Sequence, residues 1–315
     1  MEVACGAGHV CVRTSRRTVR CWGNNDVGQL GDGLSTHQVC TDEEATFDCS
    51  HVPVDVVGVD DAVQIAAGGV VTCVRRVTGA VACWGFNGLG QLGDGTQVTR
   101  SVPTTVVDIE GVVDISVGEF HACAVRADST VWCWGRAVGG SLGSGASTPD
   151  SCGGDTSEAC VRPTRLPAIS DAVQVSAGLF GGCARRASGE VWCWGRNGHV
   201  TGAGNGAPAD PDVPAAVDGL ADAASVYSGY LSTCAVLVNG EVRCLGPSYG
   251  HEEVSRTLRS IEGLGGPVST VTGGWSHLCA LLEDGRVRCW GENDYGQLGN
   301  GGTEPSDEPV SPADL

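Results

Sequence analysis

Lysine is absent from all 315 residues, so the 19 basic side chains are arginines, set against 37 aspartates and glutamates. The absence removes the amine used by Schiff-base chemistry and by phosphate-binding P-loops. The formal charge of -18 repels phosphate backbones and anionic head groups, which argues against nucleic acid and lipid surfaces as partners. No apolar run reaches the roughly 18 residues of a membrane-spanning helix, so membrane insertion is not expected. No cysteines stand at the C-x-x-C spacing of zinc ligands, and no serine sits in a nucleophile-elbow context. Long polar helical stretches are few. The sequence therefore assigns no catalytic residue, no cofactor and no metal, and the chain reads as a non-enzyme.

What is present in quantity is glycine, 49 residues, and cysteine, 17 residues. One frame organises both. Cys279 to Trp290 reads C-A-L-L-E-D-G-R-V-R-C-W, two cysteines separated by nine residues with a turn signal between them. The frame occurs six times, at Cys11/Cys21, Cys73/Cys83, Cys123/Cys133, Cys183/Cys193, Cys234/Cys244 and Cys279/Cys289. Trp-Gly follows the second cysteine in every copy except Leu245-Gly246. Gly285 sits third in a three-residue loop, where a left-handed residue closes a β-hairpin, and Gly79, Gly189 and Gly240 match it. Counting outward from Leu282/Arg286 sets Cys279 opposite Cys289 in a non-hydrogen-bonded pair, with Cα atoms about 4.5 Å apart. That separation admits a disulfide. Each frame is thus expected to be a hairpin stapled across its strands.

Aligning the hairpins exposes a longer unit. A short apolar strand ends in glycine five residues before the first cysteine, at Gly6, Gly68, Gly118, Gly178, Gly229 and Gly274. After the hairpin come Asn and Gly-Gln-Leu-Gly, as in 24–33, 87–95 and 293–301, then a polar loop and a further extended stretch such as Val102 to Val106. Each unit therefore offers about four short strands, which makes the chain all-β. The order G-x-x-H-x-C-A, a glycine turn, then V-W-C-W-G-x-N-x-x-G-Q-L-G-D-G resembles the regulator of chromosome condensation repeat family. Gly274 to Ala280 and Val81 to Gly95 are the closest copies. The resemblance covers essentially the whole chain and implies a β-propeller, one four-stranded blade per repeat around a central channel. The family usually shows seven blades; six are counted here.

The expected organisation is a single propeller domain over 1–315, with repeat cores near 6–33, 68–95, 118–145, 178–206, 229–250 and 274–301. Insertions at 34–51 and 146–161 lengthen copies one and three, each with its own cysteine pair, Cys40/Cys49 and Cys152/Cys160, around an acidic segment. A bridge at each neck would hold a defined protrusion. The end of the chain, Pro309 to Leu315, and its start, Val3 to Gly6, together make up one unit, which predicts a closed six-bladed ring. Copies three, four and five depart from the Gly-Gln-Leu-Gly pattern at 140–143, 197–202 and 247–251.

Sixteen of the cysteines fall into the eight pairs above, leaving Cys5, and such density points to an oxidising compartment. The chain opens at Met1-Glu2 with no apolar leader, so a secreted or cell-surface location would make this a mature form. His9, His121 and His277 share one repeat position, where a hydrogen bond to a neighbouring loop is the expected role. Alternation in Val131 to Trp134 puts the cysteine on one face and the two tryptophans on the other, packed between blades. The expected function is a secreted protein-binding propeller, an interaction or inhibitor module that uses loops on one face of the ring. Asp42, Glu43, Glu44, Asp48, Asp155 and Glu158 are the candidate contacts for a basic partner protein, with the propeller itself a monomer. The resemblance implies a further reading, a nucleotide-exchange regulator of a small GTPase, and the clean repeat-boundary ends leave open a structural, adhesive domain of a larger surface protein.

Overall fold

The computed structural model describes residues 1–34, 36–41, 46–145, 158–195, 213–230, 232–246 and 258–313. Within them every regular element is a β-strand, and the strands form six antiparallel sheets in chain order. Blade 2 shows the plan: Ala62–Gly68 innermost, then Val71–Arg76, Val81–Gly85 and Arg100–Thr105, each paired with its sequence neighbour. Blades 3 to 6 repeat it from inner strands Val112–Val117, Ala172–Ala177, Ala223–Ser228 and Val268–Gly273. Blade 1 carries a fifth strand, because Gln38–Thr41 pairs with Thr46–Asp55 on its outer edge.

The stapled hairpins form in the anticipated register. Cys279 lies opposite Cys289, and the Leu282 amide donates to the Arg286 carbonyl at 2.8 Å to close the loop. Cys11 faces Cys21, Cys73 faces Cys83, Cys123 faces Cys133, Cys183 faces Cys193 and Cys234 faces Cys244 in the same way. All six pairs lie at disulfide distance, with Cα separations of 4.0–4.1 Å. These are shorter than the 4.5 Å expected of an unbridged non-hydrogen-bonded pair, because each bridge draws its two strands together. Gly285 has φ 88°, the left-handed geometry the turn demands. Arg17 and Ser129, with φ 65° and 62°, hold the same turn position without glycine's freedom.

Pleat alternation then decides how blades meet. The disulfide of one blade faces the tryptophan of the next. At the boundary of blades 2 and 3, Cys73, Cys83, Val81 and Leu92 share an apolar cluster with Trp134, Ile115 and Ala124. Four further clusters repeat the arrangement at the boundaries 1–2, 3–4, 4–5 and 5–6, with Leu245 in the tryptophan place at 4–5. The Gly-Gln-Leu-Gly motif serves the same boundary. Its leucines, Leu30 and Leu92, are fully buried, and the Gln29 and Gln91 carbonyls accept the indole N–H of Trp84 and Trp134, each at 2.9 Å. A Cβ on Gly31 would stand 2.5 Å from the Trp84 indole nitrogen, so only glycine lets the ring approach. Asn25, Asn87 and Asn293 are buried and accept the amide hydrogens of Leu30, Leu92 and Leu298 at 2.9–3.0 Å, which fixes the loop.

Side chains on the inner strands stitch successive blades. Gln64 binds the Ile115 amide and carbonyl, Asp114 accepts from the Val175 amide at 2.8 Å, and Gln174 binds both backbone groups of Val226. In blade 1 His9 meets Thr72 of blade 2 at 2.7 Å, a partner on the second strand rather than in a loop as expected.

The closed six-bladed ring is corrected by the structure. Among the described residues, the five apolar clusters and the hydrogen bonds just named join blades 1 to 6 in sequence, and none of them joins blade 6 to blade 1. The terminal segments do not share a sheet either: Ser306–Val310 completes blade 6, whereas Glu2–Cys5 belongs to blade 1. Matching strand ends in the sequence identify the repeat phase, but closure also requires two complementary faces to come into contact.

Candidate functional site: the loop face

Strand direction sorts the loops between two ends of the propeller. Inner strands run toward their terminal glycines, second strands run back to the Asp-Gly-type turns, and third strands return to Trp-Gly. The end reached by first and third strands therefore carries the Gly-x-x loops, the Gly-Gln-Leu-Gly loops of blades 1, 2 and 6, and the described parts of the insertions, 36–41 with 46–51 and 158–161. The opposite end carries only short turns and blade-to-blade links.

The first insertion is anchored to that face by His37. Its Nε2 lies 2.6 Å from Asp32 Oδ2 and its Nδ1 3.1 Å from Asp48 Oδ2, while its amide donates to Asp48 Oδ1 at 2.6 Å. Asn25 Nδ2 donates to Asp48 at 2.9 Å. Burial alone would lower the imidazole pKa, but the two carboxylates outweigh it and hold His37 above its usual range. Burial likewise opposes ionisation of Asp48, and the His37 and Asn25 donors overcome it, leaving that carboxyl below its ordinary value. Asp32 belongs to the Gly-Asp-Gly segment, so the insertion is tied back onto the repeat motif itself. Cys40 and Cys49 lie at disulfide distance across the hairpin, Cα atoms 5.9 Å apart. His51 Nε2 rests 3.0 Å from Cys40 Sγ. These three residues are grouped closely enough to suggest metal ligands, yet sulfurs joined to one another are not the thiolates that metals require.

The hairpin cysteines take no part in this face. Cys21, Cys83, Cys133, Cys193, Cys244 and Cys289 are buried within their blades, as are their partners Cys11, Cys73, Cys123, Cys183 and Cys234. Cys279, the remaining partner, is half-buried. They brace the scaffold and offer nothing to a ligand.

Of the acidic candidates, Asp48 is engaged with His37 and Asn25 rather than displayed. Glu158 is exposed at the neck of the second insertion, where its carbonyl accepts from the Ala137 amide at 2.7 Å. Asp42, Glu43, Glu44 and Asp155 lie outside the described residues, as does Cys152; Cys160 is disulfide-bonded.

Two stacked aromatic pairs follow the inner strands on this end. Phe120 and Phe180 stack with centroids 5.8 Å apart, and the Arg136 guanidinium lies 5.4 and 5.2 Å from the two rings. Tyr230 and Trp275 stack at 4.7 Å, with Trp275 57% exposed. All four aromatics come one or two residues after an inner-strand glycine. That repeated offset is the available signal; taken one copy at a time, it looks like an isolated Gly-Trp-Ser-His. Trp275 pairs with a tyrosine rather than with another tryptophan.

The fold and this loop face define a class: β-propellers built from Cys-stapled, Trp-Gly-terminated blades. Two family models, both described as the regulator of chromosome condensation (RCC1) repeat, match residues 2–29, 172–199 and 268–297, and residues 19–74, 78–125 and 284–314. The chain belongs to the RCC1 repeat family. Its sequence is similar to the probable E3 ubiquitin-protein ligase HERC4 of Rattus norvegicus, 36% identical over 93 residues, a stretch that is 30% of this chain and 8% of that protein. In fold it resembles human WBSCR16, with a TM-score of 0.80 at 22% identity over 98% of this chain and 81% of that one. It also resembles yeast RCC1 (Prp20) crystallised bound to Kap60, with a TM-score of 0.79 at 17% identity over 99% and 74%. Prp20p of Saccharomyces cerevisiae, whose crystal structure was described together with binding to Gsp1p and histones, gives 0.78 at 17% identity over 98% and 76%.

Proposed function

We propose that the chain is a secreted or cell-surface protein-binding module that engages its partner through the loop face. The observation that carries this reading is the placement of two stacked aromatic pairs and the His37-anchored base of the first insertion on one end of the propeller. Clustered Trp, Tyr and Arg side chains are what protein interfaces use as anchors. His37 and the Cys40/Cys49 pair hold the base of the first insertion, which lowers what must be ordered there on binding. The acidic composition of the two insertions in the sequence favours a basic partner, including an enzyme held in an inhibited state.

The second reading, a regulator of a small GTPase, is favoured by the RCC1 repeat match and by the fold likeness to a protein reported to bind Gsp1p. It requires a reducing compartment. The two are separated by capturing partners from the secreted fraction of the producing cells, using the native chain and the variants Trp275→Ala and Phe120→Ala. The first reading predicts a partner that both variants lose, while Glu283→Ala on the opposite end keeps it. A partner retained by all three contradicts the loop-face assignment.

A further inference from the structure

The pleat of the first insertion brings three potential metal donors together on the outer edge of blade 1. Cys40 stands on the edge strand opposite Phe47, and Cys49 and His51 follow Phe47 at two-residue steps along the partner strand Thr46–Asp55. Alternation puts Phe47, Cys49 and His51 on one face of that strand, and Cys40, opposite Phe47, joins them. Asp48 falls on the other face, where His37 and Asn25 hold it. The sulfurs of Cys40 and Cys49 and a ring nitrogen of His51 all lie within 4.8 Å of one another, with His51 Nε2 3.0 Å from Cys40 Sγ. Among the described residues, no other three His, Cys, Asp or Glu side chains bring their donor atoms to that distance.

This bridge is unlike the six hairpin staples. Those join directly opposed residues with Cα atoms 4.0–4.1 Å apart, and five of them are packed into the apolar clusters between blades. Cys49 faces Gln38 instead of Cys40, so the bridge runs diagonally with Cα atoms 5.9 Å apart, and neither cysteine belongs to a cluster. Its edge strand is the outermost of the blade and His51 is exposed, which opens the group to solvent, reductant and ions. Cys279 and Cys289 also stand outside the clusters, but no third donor closes on them. The insertion 146–161 carries two cysteines and no histidine.

We propose that Cys40, Cys49 and His51 form a redox-gated site for a zinc ion: oxidised, the two sulfurs tie the base of the first insertion to each other; reduced, they tie it through the metal. A dithiol reductant opens the site. Its thiolate attacks one sulfur and forms a mixed disulfide as the Sγ–Sγ bond breaks; its second thiol then displaces that sulfur, leaving the reductant as a cyclic disulfide and the protein with two thiols. Two electrons and two protons have passed to the cysteines. The metal then replaces those two protons, which leave to solvent, and the neutral imidazole of His51 supplies the third bond. Two thiolates and an imidazole select zinc over the oxygen-seeking calcium and magnesium ions. Zinc holds sulfur at about 2.3 Å and imidazole nitrogen at about 2.0–2.1 Å, which sets tetrahedral donors roughly 3.5–4 Å apart, a spacing the three side chains reach by small rotations once the sulfurs are free. The open side at His51 leaves the fourth position to water. The site serves either compartment, as a bridge where it is oxidising and a metal tie where it is reducing, and so stands independently of the loop-face reading.

The experiment treats the full chain with graded amounts of a dithiol, removes the reductant without air and titrates zinc chloride alone by calorimetry. Alkylation with peptide mass mapping records which cysteines are open, and circular dichroism records the fold. The expected result is one zinc ion on the reduced chain that neither the oxidised chain nor the Cys40→Ser/Cys49→Ser variant binds, with slower alkylation of Cys40 and Cys49 when zinc is present. Cobalt(II) in place of zinc should give a sulfur-to-metal charge-transfer band. His51→Ala, at an exposed position, should weaken zinc binding by roughly tenfold or more while circular dichroism stays all-β. Four outcomes overturn the proposal: Cys40 and Cys49 staying closed until the fold is lost; a folded chain with both open that binds no more zinc than the double variant; equal zinc binding by the oxidised chain; and an affinity that His51→Ala leaves unchanged.

Discussion

Two buried histidines make the fold sensitive to acid. His9 and His121 are buried in the blade boundaries, and burial pushes each down to about 4. The unfolded chain takes up a proton on each near pH 6.5, whereas the folded chain resists until about 4, so stability is complete above the unfolded value and falls between the two. The loss approaches on the order of 3 kcal/mol per histidine. Urea midpoints measured from pH 7 to 4 should therefore decline, and His9→Gln should make the decline shallower. His37 works in the opposite sense. Its raised value means its contribution is whole below the unfolded pKa and disappears as pH rises through the folded one, so amide protection factors at Gln38–Thr41 should drop on the alkaline side while those of blade cores hold. At the turn position, Ser129→Gly should stabilise by about 0.5–1 kcal/mol by relieving left-handed strain. A chemical denaturation curve measures it, and no gain would mean the surrounding turn already absorbs the strain.

At the scale of the element, the stapled hairpin is legible in the sequence because its constraints are local. Nine residues, a left-handed third loop position and strict alternation leave one register, and Cys279 opposite Cys289 follows, as do Cys11 opposite Cys21 and Cys234 opposite Cys244. The four-strand unit is legible for the same reason. The His37 anchor is not, because Asp32, His37 and Asp48 meet only after the insertion folds back, and nothing in their spacing marks them apart from solvated loop residues. The stacked aromatics are equally hidden: Phe120 and Phe180 come from different blades, so their contact depends on how the blades are set around the channel. The glycine of the Gly-Gln-Leu-Gly loop shows how local and distant requirements merge. A Cβ on Gly93 would lie 2.8 Å from the Trp134 ring, at φ 64°. Gly93→Ala should therefore cost roughly 2–4 kcal/mol, combining overpacking with backbone strain. Calorimetry on the variant checks it, and a change below the error of the scan would show that the tryptophan can retreat.

For the molecule as a whole, the disulfides and the boundaries divide the labour. Each bridge closes a short loop within one blade and contributes up to about 2.5–3 kcal/mol in the chain-entropy model. None of the six hairpin bridges joins two blades, so cohesion between blades rests on the five disulfide-on-tryptophan clusters and the inner-strand stitches. The number of repeats can be read from the sequence, because each repeat announces itself. Closure cannot, because it depends on whether two separate faces touch, and Val3, Trp22 and Leu281 look no different in sequence from counterparts that are buried. Reductant should thus lower the denaturation midpoint of every blade together while leaving the free chain monomeric, as sedimentation in reducing and non-reducing buffer would show.

The oxidised, cysteine-stapled state braces the blades, and the proposal of an extracellular binding module rests on it. Counting thiols by mass shift, after denaturation and alkylation of protein isolated without reductant, tests it most directly. The account predicts a single adduct, located on Cys5; adducts on the hairpin cysteines, approaching all seventeen, would contradict it.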